Sequence, residues 1–249
     1  MAILRGIRSE FIKLHHTSIL WLHLLIPLLG AAVFTLYFSL YPTIANEQKM
    51  ALVLELTATV FPIVISVICG MMATLEEKAA GFQAMLSDRN GRVIPYFNKL
   101  ATAVLLGVTA TTMLISMTLL GLSLISLDQV AYDRFVIAAM GMFIGSIPLY
   151  IIQMFLSIKW GLGSSVFVGI IGSLVSIMFS NVETASWVYI PFAWGMKIMQ
   201  NLIKLNPLSI NSFEGKFISE LGIITIFSFI FLFVSFVWFQ RWEQRKSFE

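Results

Sequence analysis

The fold is decided first by residues 51–75, which read ALVLELTATVFPIVISVICGMMATL. Glu55 is the only charged residue in this run, and the run is long enough to cross the roughly 30 Å hydrocarbon core of a bilayer as a helix. Similar runs recur along the 249-residue chain, which is 58% apolar and 12% charged, with a mean hydropathy of +0.89. Soluble domains carry about twice that charged fraction. The composition therefore excludes a water-soluble globular protein.

Hydropathy predicts an all-α polytopic membrane protein with six membrane-spanning helices in one transmembrane domain over residues 1–249. The predicted spans are 18–41, 51–75, 93–127, 135–158, 164–182 and 218–240. The third span is longer than a bilayer requires. We therefore expect its first turns to project into the cytosol, with Asn98 and Lys99 hydrated.

Residues 1–16 precede the first span and form a predicted amphipathic helix. At about 100° per residue, apolar side chains fall in one arc and polar side chains in the remainder. The apolar arc contains Ile3, Leu4, Ile7, Phe11 and Leu14, and the polar arc contains Arg5, Arg8, Ser9, Glu10 and Lys13. Such a helix lies in the membrane surface, and its basic residues suit an anionic cytoplasmic leaflet.

The distribution of Lys and Arg predicts that both termini are cytoplasmic. Of the 16 basic residues, eleven fall in one set of alternate connections and five in the other, and the richer side is the cytoplasmic one. The richer side holds Arg5, Arg8, Lys13, Lys78, Arg89, Arg92, Lys99, Lys159, Arg241, Arg245 and Lys246. Termini on one side require an even number of crossings, as six spans give.

The charged connection 76–92 is the first segment outside the spans that could carry function. Glu76 and Glu77 suit a helix N-terminus, and Phe82, Met85 and Leu86 recur at helical spacing, so we expect a surface helix of about three turns. Two interpretations stay open. The helix offers its apolar side chains to a soluble partner, or it is a solvated connector that contacts only lipid head groups.

Adjacent glutamates at the end of a span also suggest an intramembrane protease of the CAAX-processing type. In those enzymes an arginine follows the pair after three residues, but here Gly81 occupies that position. The histidines, His15, His16 and His23, all lie near the N-terminus. The chain also lacks the Gly-x-x-x-x-Gly-Lys-Ser/Thr pattern of a phosphate-binding loop. We therefore expect no catalytic, cofactor-binding or metal-binding site in this chain.

The second long connection, 183–216, is rich in aromatic residues. Trp187, Tyr189, Phe192 and Trp194 surround Pro191, which suits the first turn of a helix. We expect half-inserted helices here. Their polar residues, which we expect to face water, are Lys197, Gln200, Asn201 and Lys204. The segment is either a gate that meets an amphipathic substrate or an aromatic belt that only anchors the protein.

Glu55 lies about one turn inside the outer end of its span. A carboxylate in lipid is costly, so it should face a partner or a water-filled crevice, or else extend outward as a cap. Together with Glu47 and Glu183, Glu55 would give the outer side an acidic entrance.

Taken in order, several loose motifs resemble the permease subunits of type-2 ABC transporters, specifically those of lantibiotic self-immunity systems. The first group precedes and enters span one, the second surrounds the inner connection, and the third precedes span six. These residues are Ser9, Glu10, Phe11, Ile12, Lys13, Leu14, Thr17 and Pro27; Glu76, Gly81, Leu86, Arg89 and Lys99; and Trp187, Pro191 and Trp194.

The resemblance implies a six-span fold with an N-terminal interfacial helix, a cytoplasmic coupling helix over 76–92 and a re-entrant segment over 183–216. It also implies two copies of a separate ATPase, which use the ATP, and a second, often non-identical permease chain. Systems of this kind protect a bacterium by removing a cationic lantibiotic peptide from its cytoplasmic membrane.

Two groups of site residues follow from this interpretation. The predicted ATPase-coupling residues are Glu76, Glu77, Gly81, Phe82, Met85, Leu86 and Arg89. The predicted substrate-entrance residues are Glu47, Glu55, Glu183, Trp187, Tyr189, Phe192 and Trp194. An intramembrane enzyme and a non-transporting membrane sensor or scaffold remain as alternatives.

Overall fold

A computed structural model describes residues 2–15, 17–88, 91–125, 132–182, 185–204 and 215–243. The elements in these ranges are all helical. They are α1 (Ala2–Leu14), α2 (Ser18–Leu40), α3 (Asn46–Ala80), α4 (Gln83–Leu86), α5 (Val93–Ile125), α6 (Tyr132–Trp160), α7 (Leu162–Ser180), a 3₁₀ turn (Ala185–Tyr189), α8 (Pro191–Lys204) and α9 (Gly215–Arg241). Six of them, α2, α3, α5, α6, α7 and α9, are long and apolar enough to cross a membrane. The prediction of an all-α polytopic membrane protein is therefore confirmed.

Helix α6 lies at the centre of the bundle. In its most apolar stretch 67% of residues are buried, against 17% in α2 and 11% in α9. Glycines let α8 pack closely on it, since a Cβ at Gly145 would lie only 3.0 Å from Cα of Gly195. Helices α3 and α7 approach closely in the same way, because a Cβ at Gly169 would lie 2.8 Å from the carbonyl oxygen of Pro62. Small residues of this kind are the usual basis of close helix packing in membranes.

The bundle has two ends, which we name after a residue at each. At the Glu76 end, α1 and the end of α9 meet the α3–α5 connection. At the Trp194 end, the 3₁₀ turn and α8 pack against α6, α7 and α9. Buried apolar side chains form one cluster around Trp194 and a second around Phe82. The described parts of the two long connections between spans therefore lie at opposite ends of the bundle.

Candidate functional site

The α3–α5 connection differs from the predicted three-turn helix. Glu76 and Glu77 do not begin a new helix, because α3 continues through them to Ala80. Gly81 and Phe82 then both adopt left-handed backbone angles, with φ of 56° and 67°. Their N–H groups donate to the carbonyls of Glu77 and Glu76 at 2.9 and 3.2 Å. The chain thus turns sharply, and α4 adds only four residues. We call residues 81–88 the elbow.

The elbow is packed against the protein by its apolar side chains. Phe82 and Met85 are each only 2% exposed, so they do not project outward as the interpretation with a soluble partner requires. The Phe82 ring meets the Trp242 ring edge to face, with centroids 5.1 Å apart. Just after the elbow, Arg92 Nη1 donates to the carbonyl oxygens of Gln240 and Trp242 at 3.2 Å each. These contacts attach the elbow to the C-terminal end of α9.

Small or flexible residues of the last turn of α3 and of the elbow face away from the bundle. We call this set the elbow surface; its exposed members are Lys78, Ala79, Gln83, Ala84 and Ser87. Glu77, Gly81 and Leu86 are half-buried. Arg89, the remaining predicted coupling residue, lies outside the described residues.

Four charged side chains meet beneath the elbow, and we call them the charge quartet. Lys99 Nζ lies 2.7 Å from Glu10 Oε2 and 3.0 Å from Glu76 Oε1. Lys13 Nζ lies 2.7 Å from Glu10 Oε1 and 2.8 Å from Glu76 Oε1. The lysine and glutamate charges balance, and the quartet joins α1, α3 and α5.

The quartet overturns two expectations from the sequence. Asn98 and Lys99 are not hydrated in the cytosol but buried, with Lys99 only 2% exposed. Glu10, expected on the polar arc of α1, is also buried. Helix α1 can approach α5 because Gly6 has no side chain. A Cβ at this position would collide with the Asn98 side chain. The buried face of α1 therefore runs through Gly6, Glu10 and Leu14, along one edge of the apolar arc.

Electrostatics explain why the quartet needs both lysines. Glu76 lies in the last turns of α3, where the helix dipole disfavours a negative charge. Two ammonium groups within hydrogen-bonding distance offset that effect. For Lys13, burial favours the neutral form, but the Glu10 and Glu76 carboxylates outweigh it and raise the pKa of the ammonium above its ordinary value.

The aromatic residues at the Trp194 end are mostly buried. Trp187 and Trp194 are 4% and 0% exposed, so neither is free to meet a substrate at the surface. Phe192 is half-buried and packs toward α7, since a Cβ at Gly172 would collide with its ring. Tyr189, at 69% exposed, is the accessible member of the predicted set. Glu183 lies outside the described residues.

The polar face of α8 also differs from expectation. Lys197, expected to face water, is buried and its Nζ donates to the carbonyl oxygen of Ser180 at 2.8 Å. Ser180 is the last residue of α7, where carbonyls lack partners within the helix. An ammonium group there satisfies one of these carbonyls and complements the helix dipole. Lys197 thus fastens α8 to α7.

Two of the predicted acidic entrance residues have partners in the structure. Glu55 is half-buried, and Gln200 Nε2 donates to its Oε1 at 3.3 Å. A polar partner, one of the alternatives for this carboxylate, is therefore present. Glu47 is 77% exposed as a side chain and lies 3.7 Å from Arg134 Nη1, a pair too exposed to add much stability.

Trp194→Phe is expected to lower the free energy of unfolding by about 1–3 kcal/mol. The indole Nε1 donates to the carbonyl oxygen of Val188 at 2.8 Å, and phenylalanine would leave that buried carbonyl without its donor. Thermal unfolding of the purified protein in detergent measures the change. Tyr189→Phe is the control, because it removes one polar group from an exposed aromatic residue nearby. Equal melting temperatures for the two variants would contradict a structural role for the indole.

Comparison with known families identifies the chain. The sequence pattern described as "ABC-2 family transporter protein" matches residues 6–180, which is more than half of the chain. The chain belongs to this family. No curated protein shows significant similarity to it.

The match extends from α1 through α7 and therefore includes the elbow and the charge quartet. The protein is a multi-pass ABC-2 permease, the transport membrane subunit of an ABC transporter. Sequence reasoning missed the quartet, although Glu10 and Lys13 are spaced for contact on one helix face and Lys99 interrupts an apolar run.

Proposed function

We propose that this ABC-2 permease expels a cationic, amphipathic peptide of the lantibiotic type from the cytoplasmic membrane of a bacterium. A separate ATPase, present in two copies, supplies the energy by docking at the elbow surface, and a second, non-identical permease chain completes the membrane part. Both termini then lie in the cytoplasm, together with the Glu76 end. ATP is used by the ATPase and not by this chain.

The coupling role rests on one observation, which is that the elbow is packed firmly against the rest of the protein. Its inner side is packed through Phe82 and Met85, so a push on its outer side cannot be absorbed by movement of a loose loop. Such a push would reach α1 and α5 through the charge quartet, and α9 through Trp242 and Arg92. Helices α1, α5 and α9 would therefore respond together.

The elbow surface is suited to close protein contact. Ala79 and Ala84 leave the backbone accessible, and Gln83 and Ser87 offer hydrogen-bonding groups without charge. A partner can therefore approach the short helix closely, and burial of the two alanines costs no side-chain entropy. Glu77 and Gly81 are half-buried and lie at the edge of this surface.

Support for a cationic peptide comes from the Trp194 end. The exposed Tyr189 ring offers an amphipathic aromatic face, and the exposed Glu47 carboxylate offers negative charge if the peptide replaces its partner Arg134. Attraction between exposed charges is screened beyond roughly 8–10 Å, so it steers the peptide more than it holds it. The buried Trp187 and Trp194 would then act by shaping this end rather than by touching the peptide.

Ala84→Trp is expected to reduce co-purification of the ATPase by about tenfold or more, because a large side chain at a docking centre prevents close approach. The measurement compares the ATPase recovered with the tagged permease from cells that express the complete system. Resistance to a cationic lantibiotic should fall to that of cells lacking the permease.

Ala32→Trp is the matched control, since Ala32 is an exposed alanine of α2 within a span. It should change neither ATPase recovery nor resistance. Full ATPase recovery with Ala84→Trp, at an unchanged melting temperature, would contradict docking at the elbow. Retained ATPase with no lantibiotic protection by the unaltered system would contradict the proposed substrate.

A further inference from the structure

A cleft in the middle of the bundle separates α2 from α3. Helices α2, α3 and α5 line it together with the buried Tyr150 of α6, and its volume is about 220 Å³. An apolar cavity of about 150 Å³ already holds a benzene-sized ligand. Ile26 of α2 and Leu56 and Val60 of α3 line the cleft and are 43–51% exposed, so it opens sideways between these two helices.

The cleft lies at bilayer depth. Its lining positions are 22–34 of α2, 56–68 of α3 and 107–114 of α5, and all of these are in interior turns of membrane-length helices. The molecules that can enter from the side at this depth are therefore bilayer components or substances dissolved in the bilayer.

The cleft chemistry is almost entirely that of hydrocarbon. None of the described residues that line it is Asp, Glu, Lys or Arg. Two of its polar groups are directed to their own helices: His23 Nδ1 lies 2.8 Å from the carbonyl oxygen of Ile19, and Thr57 Oγ1 donates to that of Val53 at 2.6 Å. Thr111 Oγ1 has no hydrogen-bond partner among the described residues. A charged head group or the basic side chains of a peptide would find no counter-charge here.

Packing explains why the cleft stays open. Helix α2 leans on α5, where Gly121 admits the side chain of Thr35, and makes few contacts with α3. Pro27 lines the cleft and, lacking an N–H, leaves the carbonyl of His23 without its helical partner, which favours a bend in α2. Protein interiors rarely keep a void of this size, because its walls lose dispersion contacts. An apolar occupant would restore those contacts.

We propose that this cleft binds one acyl chain of a membrane phospholipid. The acyl chain enters between α2 and α3. The head group stays outside because the cleft holds no charged partner for it. The bound chain fills the space between α2 and α3 and keeps the two helices apart. This site is separate from the elbow and from the Trp194 end, and it belongs to the isolated chain.

The test uses phosphatidylglycerol that carries a photoreactive diazirine in the middle of one acyl chain. This lipid is added to vesicles of phosphatidylglycerol and phosphatidylethanolamine that contain the full-length protein. The protein is extracted in mild detergent before illumination, and mass spectrometry locates the adducts. We expect adducts within residues 56–68 and 107–114, because a lipid held in the cleft stays bound during extraction. Phe229 and Phe233, which are exposed residues of α9, should carry no adducts, because loosely associated lipid is removed by extraction.

Ala110→Phe fills the cleft and should reduce the retained adducts by about tenfold or more, which corresponds to at least 1.4 kcal/mol of binding. Ala32→Phe adds the same ring to an exposed position on α2 that does not line the cleft and should leave the adducts unchanged. Val60→Trp is a second filling variant in case Ala110→Phe does not fold. Exhaustive delipidation should lower the melting temperature of the unaltered protein but not of a filled variant.

Adducts spread evenly over lipid-facing helices, or adducts unaffected by both filling variants, would overturn the proposal. Loss of the adducts when a cationic amphipathic peptide is added before illumination would also overturn it, because the cleft would then hold the substrate instead of a lipid. The measurement needs neither an ATPase nor transport. Its failure would therefore leave the proposed export function standing, and failure of export would leave this site standing.

Discussion

Lys99→Met is expected to lower the free energy of unfolding by about 3–5 kcal/mol, because it leaves buried carboxylates without their shared cation. Glu10 and Glu76 are 8% and 5% exposed as side chains, and Lys99 bridges them at 2.7 and 3.0 Å. Without Lys99, only the half-exposed Lys13 separates the two negative charges. Thermal unfolding in detergent, followed by size-exclusion chromatography, measures the loss of folded protein.

A compensating substitution separates the charge effect from the loss of packing. Lys99→Met combined with Glu76→Gln removes one charge of each sign and leaves the Glu10–Lys13 pair, so we expect it to recover much of the lost stability. Lys78→Met is the control, since it removes an exposed lysine near the same end. A Lys99→Met variant as stable as Lys78→Met would show that the quartet does not hold α1 to the bundle.

The six spans could be predicted because hydropathy is a local property. Each run contains its own signal, and the predicted 51–75 lies inside the observed Asn46–Ala80. The positions at which the helices end are harder to predict from hydropathy. Glu76 and Glu77 looked like the start of a helix because acidic residues favour N-termini, whereas tertiary contacts with Lys13 and Lys99 allow Glu76 at a C-terminal end.

The quartet itself could not be predicted from periodicity. Lys99 is 89 residues from Glu10 and 23 from Glu76, and no local pattern reports contacts over such separations. A helical wheel of α1 predicts that Glu10 faces water, because polar side chains usually do. Burial of a charge is tolerated only when partners surround it, and those partners are on other helices.

The same limit applies to α8. Its aromatic residues and Lys197 suggested a surface element with an apolar side in lipid and a polar side in water. Instead the helix end of α7 supplies an acceptor for Lys197, and the carbonyl of Val188 supplies one for Trp194. Both acceptors are backbone groups, whose availability depends on how the chain folds and not on which residues it contains.

Phe82→Asp is expected to cost more than the roughly 3–5 kcal/mol typical of Phe→Ala in a core, because a carboxylate would be buried where the ring now lies. The ring is 2% exposed and packs on Trp242. The Phe82 backbone has a φ of 67°, which is strained for a bulky residue and persists because the surrounding structure fixes it. We expect little folded protein and no lantibiotic resistance. Resistance lost in this variant would therefore report collapse of the elbow and not the loss of an ATPase contact.

Gln83→Asp tests that interpretation at the neighbouring residue. It introduces the same carboxylate on the exposed side of the elbow, where water solvates it, so the melting temperature should stay within the range of ordinary surface substitutions. If Phe82→Asp instead unfolds at the temperature of the unaltered protein, Phe82 must be free to leave its contact with Trp242. The elbow could then turn its apolar side chains toward the ATPase, as one of the two interpretations of the sequence predicts.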